Sequence, residues 1–416
     1  MQVLLSSIGS RGDVQPIVAL GLELQALGHR AKLCVPPNFK EWVESYGLEC
    51  IPIGPDLKKL TGGTVPGKPV LPSKEQLQQM ADQSVRTQFQ VIADTARDCD
   101  LIVAATALQF AARSIAEAQH IPYVFVAYCP AVLPSSKYPP PSHEDAALRR
   151  AQKMGGHHSQ SLPEAENEQL WKENEESFNK FGAAINEERA KIGQDPVTSV
   201  QRYIFTDRPW LAADPALAPA FPLTGMEVVQ TGAWMLSEGT PLPDEVEKFL
   251  ASGPPPVYLG FGSMRASDQT ARVLIEAVRA LGLRSILSKG WANLTPSDTG
   301  NDCLSIGDVS HEQLFPRVAA IVHHGGAGTT TAAARAATAQ VIIPHNYDQF
   351  YWAHRVQELG AGAYGPLRDD LTVDALAGAL REALQPEVTT RAQELAARME
   401  RHGARLAAER LMDEFG

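Results

Sequence analysis

Short apolar runs alternate with amphipathic stretches along most of the chain. The first run, residues 3–7, predicts a buried strand, and residues 8–14, with two glycines and three polar side chains at their centre, predict a loop. Residues 15–27 place apolar side chains at helical spacing, and Gly28 supplies a helix end, so this segment predicts a helix. Residues 31–35 are apolar again. The beginning of the chain therefore predicts a β–α–β unit.

The same alternation continues in two halves separated by residues 236–256, which are rich in glycine and proline and predict a linker. Each half predicts a doubly wound parallel sheet with helices on both faces. Irregular segments at 52–74 and 130–161 interrupt the first half, and helices are expected at 163–192 and from about 373 to the end. The later strands are predicted at 101–105, 123–127, 257–261, 285–288, 303–306, 320–323 and 341–343.

The length of 416 residues supports this division, because a single hydrophobic core rarely grows beyond about 250–300 residues. We predict an N-terminal domain at 1–235, a linker at 236–256, a C-terminal domain at 257–388 and a last helix at 389–416. Hydrophobic residues make up 44% of the chain and charged residues 20%, as in globular proteins. The predicted fold class is α/β, with two Rossmann-like domains.

Charge and cysteine content narrow the function classes. The net charge of −11, from 37 basic and 48 acidic residues, argues against nucleic acid or an anionic membrane as a partner. The five cysteines never form a Cys-x-x-Cys pair, so neither a disulfide framework nor a zinc site is expected. The chain shows no signal-peptide pattern and no apolar run near the ~20 residues of a membrane-spanning helix. We expect a cytoplasmic protein, of unspecified oligomeric state.

A glycine-rich turn after the strand at 320–323 carries the most informative chemistry. Gly325, Gly326 and Gly328 precede a helix predicted to begin near Thr329. The N–H groups at a helix start lack intrahelical partners, and the helix dipole favours an anion there. Glycines leave this backbone open to a phosphate, and His324 adds a donor. An ordinary strand–helix turn is the alternative, since short glycine motifs also occur without function.

A second loop, about 20 residues later, carries Asp348 and Gln349 after another strand. A carboxylate and a carboxamide are suited to bind the hydroxyl groups of a sugar. A phosphate site followed by a hydroxyl site predicts a pocket for a nucleotide sugar.

The N-terminal loop lies where the first strand meets the first helix, which is the usual ligand position in such sheets. Asp13 is a candidate general base, and a helix N-cap is its alternative. Ser10, Arg11 and Gly12 are candidates for contacts to the phosphates of the donor.

Three residues of the second half are further candidates for the donor. Ser263 ends the strand at 257–261, where it would donate to a phosphate or close a simple turn. Trp291 offers a flat face to a nucleobase, although core packing is equally common for tryptophan. His311 would contact the base or ribose, or serve a structural role at a helix start.

The Asp98-Cys99-Asp100 segment matches the DxD pattern of metal-dependent sugar transferases. It lies immediately before a predicted strand, whereas ligands bind beyond the carboxyl ends of strands. We therefore assign it to a strand-entry turn and expect neither a metal nor another cofactor.

Taken together, these motifs resemble those of the family 1 glycosyltransferases of the GT-B fold. The similarity is to the bacterial branch that contains the vancomycin-group glycopeptide glycosyltransferases and the sterol glucosyltransferases. Segments that carry it extend over nearly the whole chain, in order: 9–14, 203–214, 230–234, 256–263, 288–291, 309–311, the glycine turn after His323, and 348–349.

The resemblance implies inverting transfer from a nucleotide diphosphate sugar, without metal, in a cleft between two domains. The N-terminal domain would bind the acceptor, and the last helix would return to it. Asp13 would be the base, and Asp348 with Gln349 would hold the sugar. The diphosphate would contact His324 and the amides through Thr329, completed by Ser10, Arg11 and Ser263. Trp291 and His311 would hold the nucleoside.

Acceptor and donor are only partly implied. The expected acceptor is a bulky natural product, namely a steroid, triterpenoid, polyphenol or glycopeptide aglycone. The expected sugar is a hexose, with uridine diphosphate glucose favoured over its thymidine counterpart. Two other functions remain open at this stage: a nucleotide-sugar epimerase of the same fold, and a non-catalytic partner that binds nucleotide sugar.

Overall fold

A computed structural model describes residues 1–56, 73–154, 162–221, 223, 225–264, 266–291, 293–296 and 300–416. Most of the irregular segment predicted at 52–74 lies outside these residues. Within the described part of the chain, no helix is long and apolar enough to cross a membrane.

The first half of the chain forms a seven-stranded parallel sheet with the order β3-β2-β1-β4-β5-β6-β7. Val3 pairs with Ala31 on one side and with Leu101 on the other, so β1 is a central strand. The strands of this sheet are β1 (Gln2–Ser7), β2 (Arg30–Val35), β3 (Glu49–Pro52), β4 (Leu101–Ala105), β5 (Tyr123–Ala127), β6 (Trp210–Leu211) and β7 (Val229–Gln230).

The second half forms a six-stranded parallel sheet with the order β10-β9-β8-β11-β12-β13. Strand order reverses between β1 and β4 in the first sheet and between β8 and β11 in the second, and ligands bind at such switch points. The strands of the second sheet are β8 (Val257–Gly260), β9 (Ser285–Ser288), β10 (Cys303–Ile306), β11 (Ala320–His323), β12 (Gln340–Ile342) and β13 (Gly362–Tyr364).

Helices cover both faces of the two sheets, as the strand–helix alternation predicts. In chain order they are α1 (Arg11–Ala26), α2 (Lys40–Glu44), α3 (Lys74–Ala96), α4 (Ala112–Gln119), α5 (Glu144–Lys153), α6 (Glu164–Asn179), α7 (Gly182–Lys191), α8 (Val200–Phe205), α9 (Asp244–Ala251), α10 (Asp268–Arg279), α11 (His311–Leu314), α12 (Ala327–Arg335), α13 (Gln349–Glu358), α14 (Val373–Ala383), α15 (Pro386–Ala396) and α16 (Gly403–Phe415).

Strand β1 shows why its apolar run forms a fully buried strand. Successive side chains point to opposite faces, and helices cover both faces, so an unbroken apolar run is required. Val3 and Leu5 pack with Ile17 of α1, whereas Leu4 packs on the other face with Ile102 of β4. All of these side chains are fully buried.

The two halves also share apolar contacts. Trp352 and Val356 of α13 lie in the same cluster of buried residues as Leu217 of the first half. The Arg355 side chain adds a polar contact, since its Nε donates to the carbonyl of Leu217 at 2.8 Å. Helix α13 therefore packs against the N-terminal half.

The last helix returns to the beginning of the chain. Ala407 and Leu411 of α16 are buried against the cluster that contains α1. Gly403 permits this approach, because a Cβ there would lie 2.6 Å from the carbonyl oxygen of Ala233. Arg208 and Glu414 add an ion pair at 2.8 Å.

Several predicted boundaries were wrong. Helix α1 begins at Arg11 rather than at 15, because Ser10 and Asp13 together cap its start. The linker at 236–256 contains α9, and the predicted helices at 163–192 and 389–416 are each two helices. Strands β3, β6, β7 and β13 were not predicted, and β6 and β7, with two residues each, are too short to show a period. The domain boundaries at 235, 256 and 388 stay predictions.

Candidate active site

The carboxyl ends of β11 and β12 carry the glycine turn and the Asp348 loop, as predicted. Helix α12 begins at Ala327, two residues earlier than expected, with Gly326 as its N-cap. No side chain caps this start, and its first turn holds no acidic residue. The first-turn amides are therefore available to an external anion.

The three glycines of the turn have different structural roles. Gly325 has a φ of +92°, and a Cβ there would lie 2.7 Å from Cγ2 of Ile342. A Cβ at Gly326 would lie 2.7 Å from Nε2 of His324. Gly328, in contrast, has nothing within 4 Å of its Cβ position. The first two glycines permit close packing, and the third leaves the helix start open.

His324 is held as a neutral imidazole beside this helix start. Burial and the neighbouring histidines lower the pKa of His324 to about 3. Its Nδ1 is buried and has no hydrogen-bond partner among the described residues. Placing the proton on Nε2 directs an N–H towards Gly326, where a bound phosphate would accept it.

His323 was not among the predicted site residues, yet it shapes the turn. Its Nε2 lies 2.9 Å from Oε1 of Gln340, and its Nδ1 accepts from the amide of Gly325 at 3.1 Å. Both contacts are satisfied when Nε2 carries the proton. His323 is fully buried, so it orients the glycine turn without reaching a ligand.

Asp13 is the third residue of α1, and Ser10 is the N-cap, so the N-cap alternative for Asp13 is wrong. The Asp13 Oδ2 accepts from the amide of Ser10 at 2.6 Å and from its Oγ at 3.0 Å. Gly9 makes room for this carboxyl, because a Cβ there would lie 2.2 Å from Oδ2. Burial raises the pKa of Asp13, against the hydrogen bonds from Ser10.

Two further side chains hold the backbone of Asp13. Ser7 Oγ donates to the Asp13 carbonyl at 2.9 Å, and the Tyr128 hydroxyl donates to it at 3.0 Å. Neither residue was singled out in the sequence, since both are ordinary strand-end residues there. They orient the first turn of α1 and thereby its carboxylate.

Asp348 follows β12 of the second sheet and is coupled electrostatically to Asp13. The pKa of Asp348 is raised to about 6, mainly by burial and further by the negative charge of Asp13. A hydrogen bond from Trp352 Nε1 at 2.9 Å acts in the opposite direction and lowers this pKa. The two carboxylates therefore lie within electrostatic range of one another across the junction of the halves.

Gln349, predicted beside Asp348 in the sugar site, is engaged within its own loop. Its Oε1 accepts from the amides of His345 at 2.8 Å and Asn346 at 3.2 Å. The side chain is 6% exposed. In this structure it shapes the loop that presents Asp348, and its contact to a sugar stays a prediction.

Arg11 spans the two halves instead of pointing at the glycine turn. Its guanidinium contacts Glu238 at 2.8 Å and Asp308 at 3.2 Å, and it lies over the ring of Trp42. Ser10 donates both of its protons to Asp13, and Gly12 lies in the first turn of α1. The predicted phosphate contacts of these three residues stay predictions.

The three other donor candidates surround the carboxyl end of β8. Ser263 follows this strand in a tight turn. The amide of Trp291 donates to the carbonyl of Gly262 at 2.9 Å, which joins the loops after β8 and β9, and its ring contacts Phe39 at 6.3 Å. His311 stacks on Phe315 at 4.2 Å.

The pKa of His311 is lowered to about 4, mainly by burial. This histidine is therefore neutral at physiological pH, and it can act only as a hydrogen-bonding group towards a nucleoside. Its Nε2 lies 3.4 Å from the Tyr258 hydroxyl.

The Asp98 and Asp100 side chains both have structural partners. Asp98 forms an ion pair with Lys32 at 2.7 Å, and Asp100 Oδ2 accepts from the amide of Gln2 at 2.7 Å. The two aspartates precede β4, at the amino end of a strand of the first sheet, whereas the glycine turn follows the carboxyl end of β11 in the second sheet. Among the described residues, no three His, Cys, Asp or Glu side chains gather as a metal site would require.

Solved structures with the same two-sheet architecture show the fold class to which this protein belongs. The structure aligns over 100% of the chain with the glycotransferase of kitacinnamycin (TM-score 0.72, 17% identity, 99% of that chain). It aligns over 96% with the glycosyltransferase VinC in complex with DTDP (TM-score 0.63, 22% identity, 95% of that chain). These likenesses establish the predicted GT-B fold.

The sequence comparisons establish the family. Residues 3–135 match the glycosyltransferase family 28 N-terminal domain, and residues 301–404 match the erythromycin biosynthesis protein CIII-like C-terminal domain. The vancomycin aglycone glucosyltransferase of Amycolatopsis orientalis is 41% identical over 99% of this chain and 97% of its own length. Glycosyltransferase GtfC of the same organism is 42% identical, with the same coverage.

The sterol 3-beta-glucosyltransferase of Komagataella phaffii is 30% identical over 86% of this chain but only 30% of its own length. The chain thus belongs to the GT-B glycosyltransferases of the vancomycin group, and it is a transferase enzyme. The predicted family is confirmed.

Proposed function

We propose that this enzyme is an inverting O-glycosyltransferase that moves a hexose from a nucleotide diphosphate sugar to a hydroxyl group of a glycopeptide aglycone. Among the acceptors that the sequence left open, the aglycone is favoured by the 41% identity to a vancomycin aglycone glucosyltransferase over nearly the whole of both chains. The sterol enzyme is more distant, and this chain matches less than a third of its length.

The proposal rests on the electrostatic coupling of Asp13 with Asp348, two carboxyl groups that come from different halves of the chain. Asp13 comes from the first helix of one sheet, Asp348 comes from a strand-end loop of the other, and the charge of Asp13 raises the pKa of Asp348. A transfer reaction needs a base on the acceptor side and a sugar-binding group on the donor side of a single cleft. These two residues supply them.

Asp13 acts as the general base in this mechanism. Its carboxylate takes the proton of the acceptor hydroxyl as that oxygen bonds to the anomeric carbon, and the bond from this carbon to the diphosphate oxygen breaks. Attack from the side opposite the leaving group inverts the anomeric centre. The raised pKa of Asp13 brings its basicity closer to that required for proton transfer.

The leaving diphosphate is stabilised by the start of α12. The uncapped first-turn amides point to one region, and neutral His324 adds an N–H donor there. Donors that are already oriented stabilise charge as it develops without further reorganisation. We propose that this site replaces a metal ion, since Asp98 and Asp100 are held by Lys32 and by the Gln2 backbone at the far edge of the sheet.

The donor is proposed to be uridine diphosphate glucose, with the thymidine compound second. Asp348 would accept hydrogen bonds from sugar hydroxyls, because most molecules carry this carboxyl ionised above its pKa of about 6. We place the reaction in the cytoplasm, in keeping with five cysteines that are all free thiols.

The epimerase alternative is not favoured. The relatives that match along the full chain are named transferases. An epimerase would also need several acid–base groups around the sugar, whereas Asp13 faces the acceptor side. The non-catalytic alternative is not favoured either, because the chain keeps both candidate carboxylates, Asp13 and Asp348.

The test combines the purified protein with uridine or thymidine diphosphate glucose and, separately, a glycopeptide aglycone, a sterol and a polyphenol. Mass spectrometry should show one added hexose on the aglycone, and proton NMR should show the inverted anomer. Exclusive glycosylation of the sterol would refute the proposed acceptor. Hydrolysis or epimerisation of the donor without transfer would refute the reaction.

A further inference from the structure

Tyr347 adopts an unusual backbone conformation beside the candidate sugar site. It immediately precedes Asp348, and its φ is +57°. This left-handed region disfavours residues with a Cβ, because the Cβ crowds the following carbonyl oxygen, so tyrosine is a poor choice there. Strained residues of this kind cluster at functional sites.

The ring of Tyr347 is also exposed. It is 57% exposed, and it is the aromatic residue among the large apolar side chains that are exposed in the described part of the chain. The other large rings near the cleft, such as Tyr351 and Trp352, are buried. More than half of this tyrosine is therefore open to solvent, at a strained backbone position that immediately precedes Asp348.

The location of Tyr347 connects it to both carboxylates. Desolvation raises the pKa of the Tyr347 phenol, and the charges of Asp348 and Asp13 raise it further. The phenol thus stays protonated, and it lies within electrostatic range of the candidate base as well as of the candidate sugar ligand. A molecule that contacts this ring lies beside Asp348, the residue that follows Tyr347 in the chain, and within electrostatic range of Asp13.

The first sheet presents an apolar side chain at its own carboxyl edge. Leu108 is 44% exposed and follows β4, the strand that pairs with β1. The turn before it is strained at Thr106, which has a φ of +74°. Gln109 anchors the segment, because its Oε1 accepts from Ser6 Oγ at 2.8 Å. Leu108 thus exposes an apolar side chain at the carboxyl edge of the first sheet, the edge at which α1 begins.

We propose that Tyr347 is an acceptor-positioning residue, whose ring packs on a flat aromatic or apolar face of the acceptor and holds its hydroxyl near Asp13. This inference rests on the proposed function and adds a determinant of acceptor choice to it. The donor is not the partner of the ring, because the buried Asp348 and the α12 start already serve the sugar and diphosphate.

The test compares Tyr347→Gly with Tyr347→Phe. Glycine removes the ring and fits the left-handed backbone, so the variant should melt no lower than wild type. Its KM for the acceptor should rise about tenfold, the effect of losing an aromatic contact of about 1.4 kcal/mol. Its affinity for nucleoside diphosphate should stay within about twofold of wild type. Phenylalanine keeps the ring and should keep the acceptor KM.

His120→Gly is the matched control. His120 also has a left-handed backbone, with a φ of +56°. It ends α4 before β5, at the amino ends of the strands of the first sheet. Its replacement should relieve comparable strain without changing either KM. Acceptor binding is also measured by calorimetry with nucleoside diphosphate present, which requires no transfer.

An unchanged acceptor KM in Tyr347→Gly overturns the proposal, and so does an equal loss of donor and acceptor affinity. If the enzyme instead glycosylates a sterol, the proposed aglycone acceptor fails, whereas the same KM comparison with the sterol still decides the role of Tyr347. Absence of transfer to any acceptor and of any acceptor binding refutes both.

Discussion

Helices α1 and α12 begin at the same edge of their sheets, each after a parallel strand and a glycine-containing turn, but their starts are filled differently. In α1 the carboxylate of Asp13 folds back onto Ser10 and satisfies its amide and hydroxyl. In α12 neither a capping side chain nor an acidic residue occupies the first turn.

This difference teaches how one local geometry serves two kinds of chemistry. A helix start attracts negative charge through its unpaired amides and its dipole. Where the chain supplies its own carboxylate, a phosphate would meet like-charge repulsion. Where the chain supplies glycine, the helix start stays open to an anion. The first arrangement suits the acceptor side of the cleft, and the second suits the donor side.

Removing the charge from the first helix start should have the largest effect. Asp13→Asn keeps an oxygen that can accept from Ser10, so folding should be retained, but it cannot take a proton. Turnover should fall by ~10²–10⁴, the range for loss of a general base. Donor affinity measured by calorimetry should be unchanged. Turnover above a third of the wild-type value would refute the assignment of Asp13.

Adding a charge to the second helix start should make it resemble the first. Thr329 is the third residue of α12, as Asp13 is of α1. Thr329→Asp should weaken binding of nucleoside diphosphate by roughly 10²-fold or more through like-charge repulsion. The same change should raise the melting temperature, because an acidic group stabilises a helix start.

Thr329→Asn is the matched neutral control for this comparison. It retains the size of the aspartate without its charge, so its affinity should stay close to that of wild type. Equal affinities of the aspartate and wild-type proteins would show that the diphosphate binds elsewhere.

Truncating the side-chain donor of the second helix start should have a smaller effect. His324→Ala removes one hydrogen bond to a charged group, which is worth about 1.5–3 kcal/mol. The dissociation constant for nucleoside diphosphate should rise accordingly, and turnover should also fall because the same contact strengthens as the diphosphate leaves. Unchanged affinity in calorimetry would remove His324 from the pocket.

Asp348 permits a pH test of the carboxylate pair. Its pKa of about 6 in the folded protein exceeds the ordinary value near 4. The group therefore stabilises the fold below about pH 4, and this stabilisation is lost as the pH rises through 6. Asp348→Asn should melt a few degrees higher than wild type above pH 6, and the difference should vanish below pH 4. A pH-independent difference would contradict the raised pKa.

The smallest effect on turnover is expected from the Asp98-Cys99-Asp100 segment, which precedes β4 at the amino end of that strand. A chelator should leave the rate within about twofold. Asp98→Asn combined with Asp100→Asn should do the same, because both residues lie at the amino end of β4, away from the glycine turn. Exposed ion pairs contribute about 0–1 kcal/mol to stability. Stability should fall modestly, because Asp98 pairs with Lys32. Loss of activity with chelator that magnesium or manganese restores would refute the metal-free mechanism.

Much of the fold was predictable because its signals are local. Apolar runs of five or six residues identified β1, β2, β4 and β5, and helical spacing identified the body of α1. Strands β6 and β7 have two residues each, and they form by pairing in turn, β6 with the edge of β5 and β7 with β6. Their sequences carry no period by which they could be recognised.

The candidate site was predicted in its composition but less so in its contacts. Gly325, Gly326 and Gly328 mark the candidate phosphate turn, because glycine is needed where backbones approach closely or must stay open. The engagement of Gln349 with its own loop depends on hydrogen-bond geometry that residue type does not disclose. The same holds for Arg11, whose partners lie 227 and 297 residues away in the chain.

The sequence by itself determined the two α/β halves, the family, and the loops that carry chemistry, because hydrophobic period and glycine turns act over a few residues. Only the tertiary structure decided that Asp348, from the other sheet, lies within electrostatic range of Asp13, and that Tyr347 is held in a strained, exposed conformation. Burial and charge at the carboxyl ends of the two sheets depend on residues from both halves, which are far apart in the sequence.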